Sequence, residues 1–269
     1  MSAAREANDA AAEAAIWQDV EFGAYAADLP LWEELAENPG GAVLEIGAGS
    51  GRVALHLARR GSPVIALERD PALVEQLRRR SEGLPLSPIA GDAGHLHAAS
   101  IAADANGTPP VGCVIAPLHL IQQIDPDRRP ALLRDVARIL PGGGRFAATV
   151  VDESSLLGQG VGRASTTPDM RDVEGWVYSS EPLWVQVGAR ALTVRRLRER
   201  VSPEGEIERS VRDEVLNRLA PEELEREASD AGLHPVGRRE ISSGPSEADS
   251  IAVMFEAGVS ETSGARGSG

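Results

Sequence analysis

The stretch Val43-Leu44-Glu45-Ile46-Gly47-Ala48-Gly49-Ser50-Gly51-Arg52 restricts what this chain can fold into more than any other. An apolar run carries one acid and then breaks into glycine at alternate positions. Val53, Ala54, Leu55, Leu57 and Ala58 follow at helical spacing. The segment reads as a buried strand, a tight turn and a helix N-terminus. Glycine reaches φ > 0 without strain and lets a ligand approach the main chain closely. The pattern predicts a ligand of nucleotide character lying across the end of a parallel sheet.

Three loops share this outline. A phosphate-cradling P-loop needs a lysine after its last glycine, and all 27 basic residues here are arginine. A dinucleotide loop has the order G-x-G-x-x-G, but here the third glycine is Gly51 and Arg52 stands at the dinucleotide position. The third is E/D-x-G-x-G-x-G, which Glu45, Gly47, Gly49 and Gly51 match in full. That motif resembles the first motif of class I S-adenosylmethionine-dependent methyltransferases.

Spacing downstream agrees. Pro63–Leu67 reads as a second strand ending in Glu68, 17 residues after Gly51. An acid there can accept hydrogen bonds from both ribose hydroxyls. A dehydrogenase would use the same device, so Glu68 supports a ribose without choosing the cofactor. Leu86–Ala90 reads as a third strand, Val111–Leu118 as a fourth and Arg145–Val151 as a fifth. An amphipathic helix from Arg128 to Leu140 precedes the fifth and is closed by Pro141-Gly142-Gly143-Gly144. The order Leu-Pro-Gly-Gly-Gly-Arg-Phe is also similar to the family. The resemblance spans about 42–152, with weaker support over 221–257. It implies that Asp92 meets the adenine amine, that the Ala93 backbone meets the ring, and that the fourth strand, with Ala116 at its exit, floors the site. Tyr25 lies in an entry segment similar to the one that closes over the cofactor. Ala48, Arg52 and Arg69 complete the implied cofactor contacts.

The expected fold class is α/β: a Rossmann-like, seven-stranded, mostly parallel sheet with an antiparallel strand segment inserted after the fifth core strand. The expected organisation is an N-terminal helical lid over 1–40, with helices from Ala11 to Val20 and from Leu29 to Ala36. A cofactor-binding core follows over 41–152. An antiparallel, substrate-covering insertion takes 153–220, and a helix with the last two strands takes 221–257. A disordered tail over 258–269 ends the chain. Within the insertion, Asp152–Asp172 reads as a mobile loop. Strand-like alternation then covers 176–178, 183–187, 191–198 and 206–219.

Composition narrows function. A net charge of −14 and 3% aromatic residues supply neither the basic footprint nor the stacking platforms of a nucleic-acid binder. The lone Cys113 excludes a disulfide framework. No stretch reads as a membrane span, and the expected home is a bacterial cytoplasm. No metal is expected, because Asp92 and Asp152 form no recognisable carboxylate cluster.

The expected function is transfer of the methyl group of S-adenosylmethionine to an O, N or C atom of a small-molecule acceptor. The fourth-strand exit, Ala116-Pro117-Leu118-His119, lacks the Asn/Asp-Pro-Pro-Tyr/Phe order of enzymes that methylate nucleobase or protein amide nitrogens. It also lacks the paired acids that would hold a polyamine for aminopropyl transfer. His119 is the candidate general base, following the strand tip where an acceptor would lie. His95 and His97 read as rim residues. The alternative is a non-catalytic cofactor-binding protein of the same fold. A nicotinamide-dependent reductase is weakened by Arg52 and by the missing lysine. An antiparallel insertion is compatible with a homodimer.

Overall fold

The computed structural model describes residues 2–96, 110–157, 168–242 and 248–258. The five apolar runs form β1 (Ala42–Ile46), β2 (Val64–Glu68), β3 (Leu86–Ala90), β4 (Val111–Ala116) and β5 (Arg145–Val151). Every residue of β1, β2 and β4 is buried, as parallel strands covered on both faces require. Registers such as Leu44↔Ile65 and Leu44↔Val114 set β1 parallel to both β2 and β4. A second run of strands follows: β6 (Asp169–Val173), β7 (Trp176–Val187), β8 (Ala191–Val201) and β9 (Ile207–Asn217). The chain returns to the first sheet with β10 (Leu233–Ile241) and β11 (Ser250–Ala257). The large sheet has the order β10-β11-β5-β4-β1-β2-β3, and β11 runs antiparallel to both its neighbours. Strand order reverses between β1 and β4, the switch point where sheets of this kind open a crevice.

Helices cover both faces. They are α1 (Ser2–Phe22), α2 (Leu29–Ala36), α3 (Arg52–Arg59), α4 (Pro71–Arg80), α5 (Leu120–Gln123), α6 (Arg129–Ile139), α7 (Glu153–Leu157) and α8 (Pro221–Asp230). Successive strand residues face opposite sides. Leu44, Val114 and Phe146 pack with Leu132, Val136 and Leu224 of α6 and α8. Val43, Ala66 and Ile115 pack with Trp32, Val53 and Leu57 of α2 and α3. Each such Leu, Val, Ile or Phe stabilises the fold by about 1.5–3 kcal/mol on full burial. Cys113 lies in this core with its thiol pushed up to about 12 by burial. Among the described residues, no helix is long and apolar enough to cross a membrane.

The inserted residues form a separate four-stranded antiparallel sheet, β6-β7-β8-β9. Two expectations are corrected. The stretch read as loop ends in α7 and β6; β6 pairs back on β7 through Glu174-Gly175, both at positive φ (55° and 84°). The runs at 176–178 and 183–187 are one strand, which passes Pro182 by a bulge between Pro182 and Trp184. The centre of that loop (158–167), His97 and the tail over 259–269 lie outside the described residues.

The first helix starts well before Ala11 and links the two sheets. Trp17 meets Tyr178 edge-on at 5.1 Å. Glu21 accepts Ser180 Oγ at 2.8 Å and Arg198 Nε and Nη2, both at 2.7 Å. On the core side, Arg80 Nη2 donates to Asp19 Oδ2 at 2.8 Å.

Candidate active site

The glycine loop leaves β1 under tight main-chain control. Gly47 and Ala48 amides donate to the Leu67 carbonyl at 2.8 and 2.9 Å. The Gly49 amide donates to Glu68 Oε2 at 2.9 Å, while Glu68 Oε1 accepts the Asp70 amide at 2.9 Å. The Ser50 amide donates to Gln18 Oε1 of α1 at 2.7 Å. Gly49 has φ +57°, and a Cβ there would lie 2.2 Å from Gln18 Oε1. Gly51 caps α3 at φ +96°, where a Cβ would lie 2.4 Å from Leu77 Cδ1. Loop shape and helix packing both require glycine.

A pocket of about 230 Å3 opens at the carboxyl ends of β1, β2 and β4. Of the residues expected from sequence, Glu45, Gly47, Ala48, Gly49, Arg52, Glu68, Arg69, Asp92 and Ala93 line it. Tyr25, Gly51, Ala116 and His119 do not. Tyr25 stands behind the wall: its carbonyl accepts Arg52 Nη1 at 2.9 Å, and the guanidinium lies 5.1 Å over its ring. Gly51 acts through α3, and Ala116 gives way to Pro117 and Leu118. Sequence reading missed Gln18, Phe22, Gln123 and Glu214, which close the pocket from α1, α5 and β9. Phe22 and Gln18 lie four residues apart on a helix, a spacing that puts both on one face. Glu214 carries no local signal.

Glu45 is buried, and its Oε2 has no partner. Burial pushes its carboxyl up to about 8; Arg52 opposes this shift, while Asp28 and Glu68 add to it. Arg52 grips Asp28 with both Nη atoms at 2.6 Å, yet its Nε is buried without a partner. One orphaned acceptor and one orphaned donor therefore stand in the same wall. At the other end, Asp92 Oδ1 accepts the Gly94 amide at 2.8 Å, and Oδ2 pairs with Arg128 Nη2 at 3.1 Å.

The turn after β4 is strained. Leu118 and His119 both have positive φ, 48° and 58°, a conformation that costs about 1–2 kcal/mol for residues with a Cβ. The His119 amide donates to Thr149 Oγ1 at 3.1 Å, and its Nε2 lies 2.7 Å from Ser250 Oγ. These bonds hold Pro117 and Leu118 against the pocket and turn the imidazole toward β11. Burial pulls the imidazole down to about 4, outweighing the pull of Asp28 in the other direction.

Residues 43–144 match the family model described as a methyltransferase domain. A protein-L-isoaspartate O-methyltransferase of Methylorubrum extorquens is 51% identical over 65 residues, 23% of this chain and 28% of that protein. The chain spans only 21–28% of the length of the curated relatives it matches. Solved structures cover far more of it. The sugar N-methyltransferase KedS8 of a Streptoalloteichus species superposes with a TM-score of 0.68 at 15% identity, over 90% of this chain and 91% of that one. The CcbJ methyltransferase of Streptomyces caelestis gives 0.59 at 21% identity, over 86% and 90%.

Proposed function

We propose, from a chain whose residues 43–144 match a methyltransferase-domain model and whose fold is shared with solved methyltransferases, that it transfers the methyl group of S-adenosylmethionine to an O, N or C atom of a small-molecule acceptor. The observation that carries this reading is a pocket at the strand ends lined by the glycine loop (Gly47, Ala48, Gly49) together with the acids Glu45, Glu68 and Asp92. It is supported by KedS8, a sugar methyltransferase of the same fold.

On this reading Glu45 and Arg52 hold the amino-acid end, Glu68 the ribose hydroxyls, and Asp92 with Ala93 the adenine. S-adenosylmethionine supplies a methyl group already activated on a sulfonium. The chain's own task is to hold and align. Gln18 and Phe22 cover the pocket, while Pro117 and Leu118 shape the side nearest the fourth strand. Alignment of this kind lowers a barrier by up to roughly 7–11 kcal/mol.

Calorimetric titration with S-adenosylmethionine, S-adenosylhomocysteine and NAD, on wild type and Glu68→Ala, tests the reading. Micromolar binding of the two sulfur ligands, lost in the variant, is the expected result. Binding of NAD instead, or of none of the three, rejects it.

A further inference from the structure

We propose that Glu214 is the acceptor-binding carboxylate of this pocket and that the acceptor is an amine. The inference rests on the methyltransferase reading and names its substrate class.

Glu214 sits on β9 and lines the pocket from the second sheet, together with the glycine loop. The arginines of the adjacent strand β8 are engaged elsewhere. Arg198 forks onto Glu21, and Arg196 donates to Ser180 Oγ at 2.9 Å and to Asp169 Oδ2 at 2.5 Å. Among the described residues Glu214 has one hydrogen bond, from Gln123 Nε2 at 3.3 Å, and no ion pair. It is a pocket carboxylate whose one side-chain hydrogen bond comes from a neutral donor. Burial, with Glu21 nearby, raises its pKa, while Arg196, Arg198 and Arg212 pull it down without bonding to it. An ammonium bonded directly to it would favour its ionised form further.

An ammonium answers that demand and an alcohol does not. An alcohol offers the carboxylate a hydrogen bond but no charge, and gives up its proton only as its new bond forms. A raised carboxyl narrows the gap to an alkylammonium, whose ordinary pKa is about 10. One proton passes from R–NH3+ to the Glu214 carboxylate and leaves R–NH2 with a free lone pair. The nitrogen then forms the N–CH3 bond as the S–CH3 bond breaks, and that bond's electron pair stays on sulfur. The donor ends as a neutral thioether, and the product carries the charge as R–NH2+–CH3.

The test needs no knowledge of the acceptor. Sinefungin carries an ammonium where the transferred methyl would lie, and S-adenosylhomocysteine carries nothing there. Affinities of S-adenosylmethionine, S-adenosylhomocysteine and sinefungin are measured on the full chain and on Glu214→Gln. Wild type is expected to prefer sinefungin to S-adenosylhomocysteine by about tenfold or more. The variant is expected to lose that preference while keeping both its affinity for S-adenosylhomocysteine and its ratio of S-adenosylmethionine to S-adenosylhomocysteine. An unchanged preference overturns the assignment. So does a parallel fall in the S-adenosylmethionine ratio, which would place Glu214 against the sulfonium. Failure of wild type to bind any of the three overturns the underlying methyltransferase reading and this inference with it.

Discussion

Arg52 and Asp28 meet fork to fork, Nη1 to Oδ1 and Nη2 to Oδ2, both at 2.6 Å. Asp28 also accepts Trp32 Nε1 at 2.8 Å and is 1% exposed. The residue that follows the last loop glycine is thus bonded to the residue that opens α2. Bidentate geometry fixes orientation as well as distance, so the N-terminal segment and the glycine loop hold their places together.

Removing one partner of a buried pair leaves the other charged and unpaired. Asp28→Ala is expected to destabilise the fold by about 3–5 kcal/mol, read from the midpoint of urea unfolding. A loss below about 1 kcal/mol would mean that solvent reaches Arg52 and screens it.

Glu45 links pH to both stability and binding. Its folded pKa of about 8 lies above the ordinary 4.5, so the folded chain keeps a proton that the unfolded chain releases. The stabilisation is complete below pH 4.5, declines as pH rises toward 8 and is flat above it. Within that window the slope is at most about 1.4 kcal/mol per pH unit. Glu45→Gln should remove it. A cationic ligand end favours the ionised carboxylate, so S-adenosylmethionine binding at pH 7 should release up to about one proton. Binding heats in buffers of different ionisation enthalpy measure this, and a release equal in wild type and Glu45→Gln would assign the proton elsewhere.

Gly49→Ala places a Cβ at φ +57° and 2.2 Å from Gln18 Oε1. The backbone cost is about 1–2 kcal/mol, and Gln18 must also leave the Ser50 amide. Affinity for S-adenosylhomocysteine is expected to fall by about tenfold or more, since 1.4 kcal/mol is a factor of ten. Retained affinity would show that the loop accepts a side chain there.

An imidazole drawn down to about 4 is neutral at working pH and accepts protons weakly. His119→Ala is expected to lower kcat by less than about tenfold and to leave the pH profile above 5 unchanged. A fall of about a hundredfold with a changed profile would restore the role of base to His119.

The core strands were legible because each is a short apolar run bounded by punctuation, and the glycine loop because its backbone demands leave few residue choices. Glu45, Glu68 and Asp92 could be located because they occupy strand ends fixed by that pattern. The insertion was harder. Pro182 suggests a break, but a bulge carries β7 past it. The segment Asp169–Val173 becomes a strand only through its partner. The α1 contacts Glu21–Arg198 and Gln18–Ser50 join residues 177 and 32 positions apart, and no local pattern encodes such pairs. Asp28 left a readable trace, an acid four residues before Trp32 at the mouth of α2.

The Gly49 and Ser50 amides are each held by a side chain from another part of the chain, one by Glu68 and the other by Gln18. Buried amides left bare would each cost about 1–3 kcal/mol. Glu68 and Gln18 cover both donors, so the loop draws its shape from β2 and α1 and inherits their rigidity.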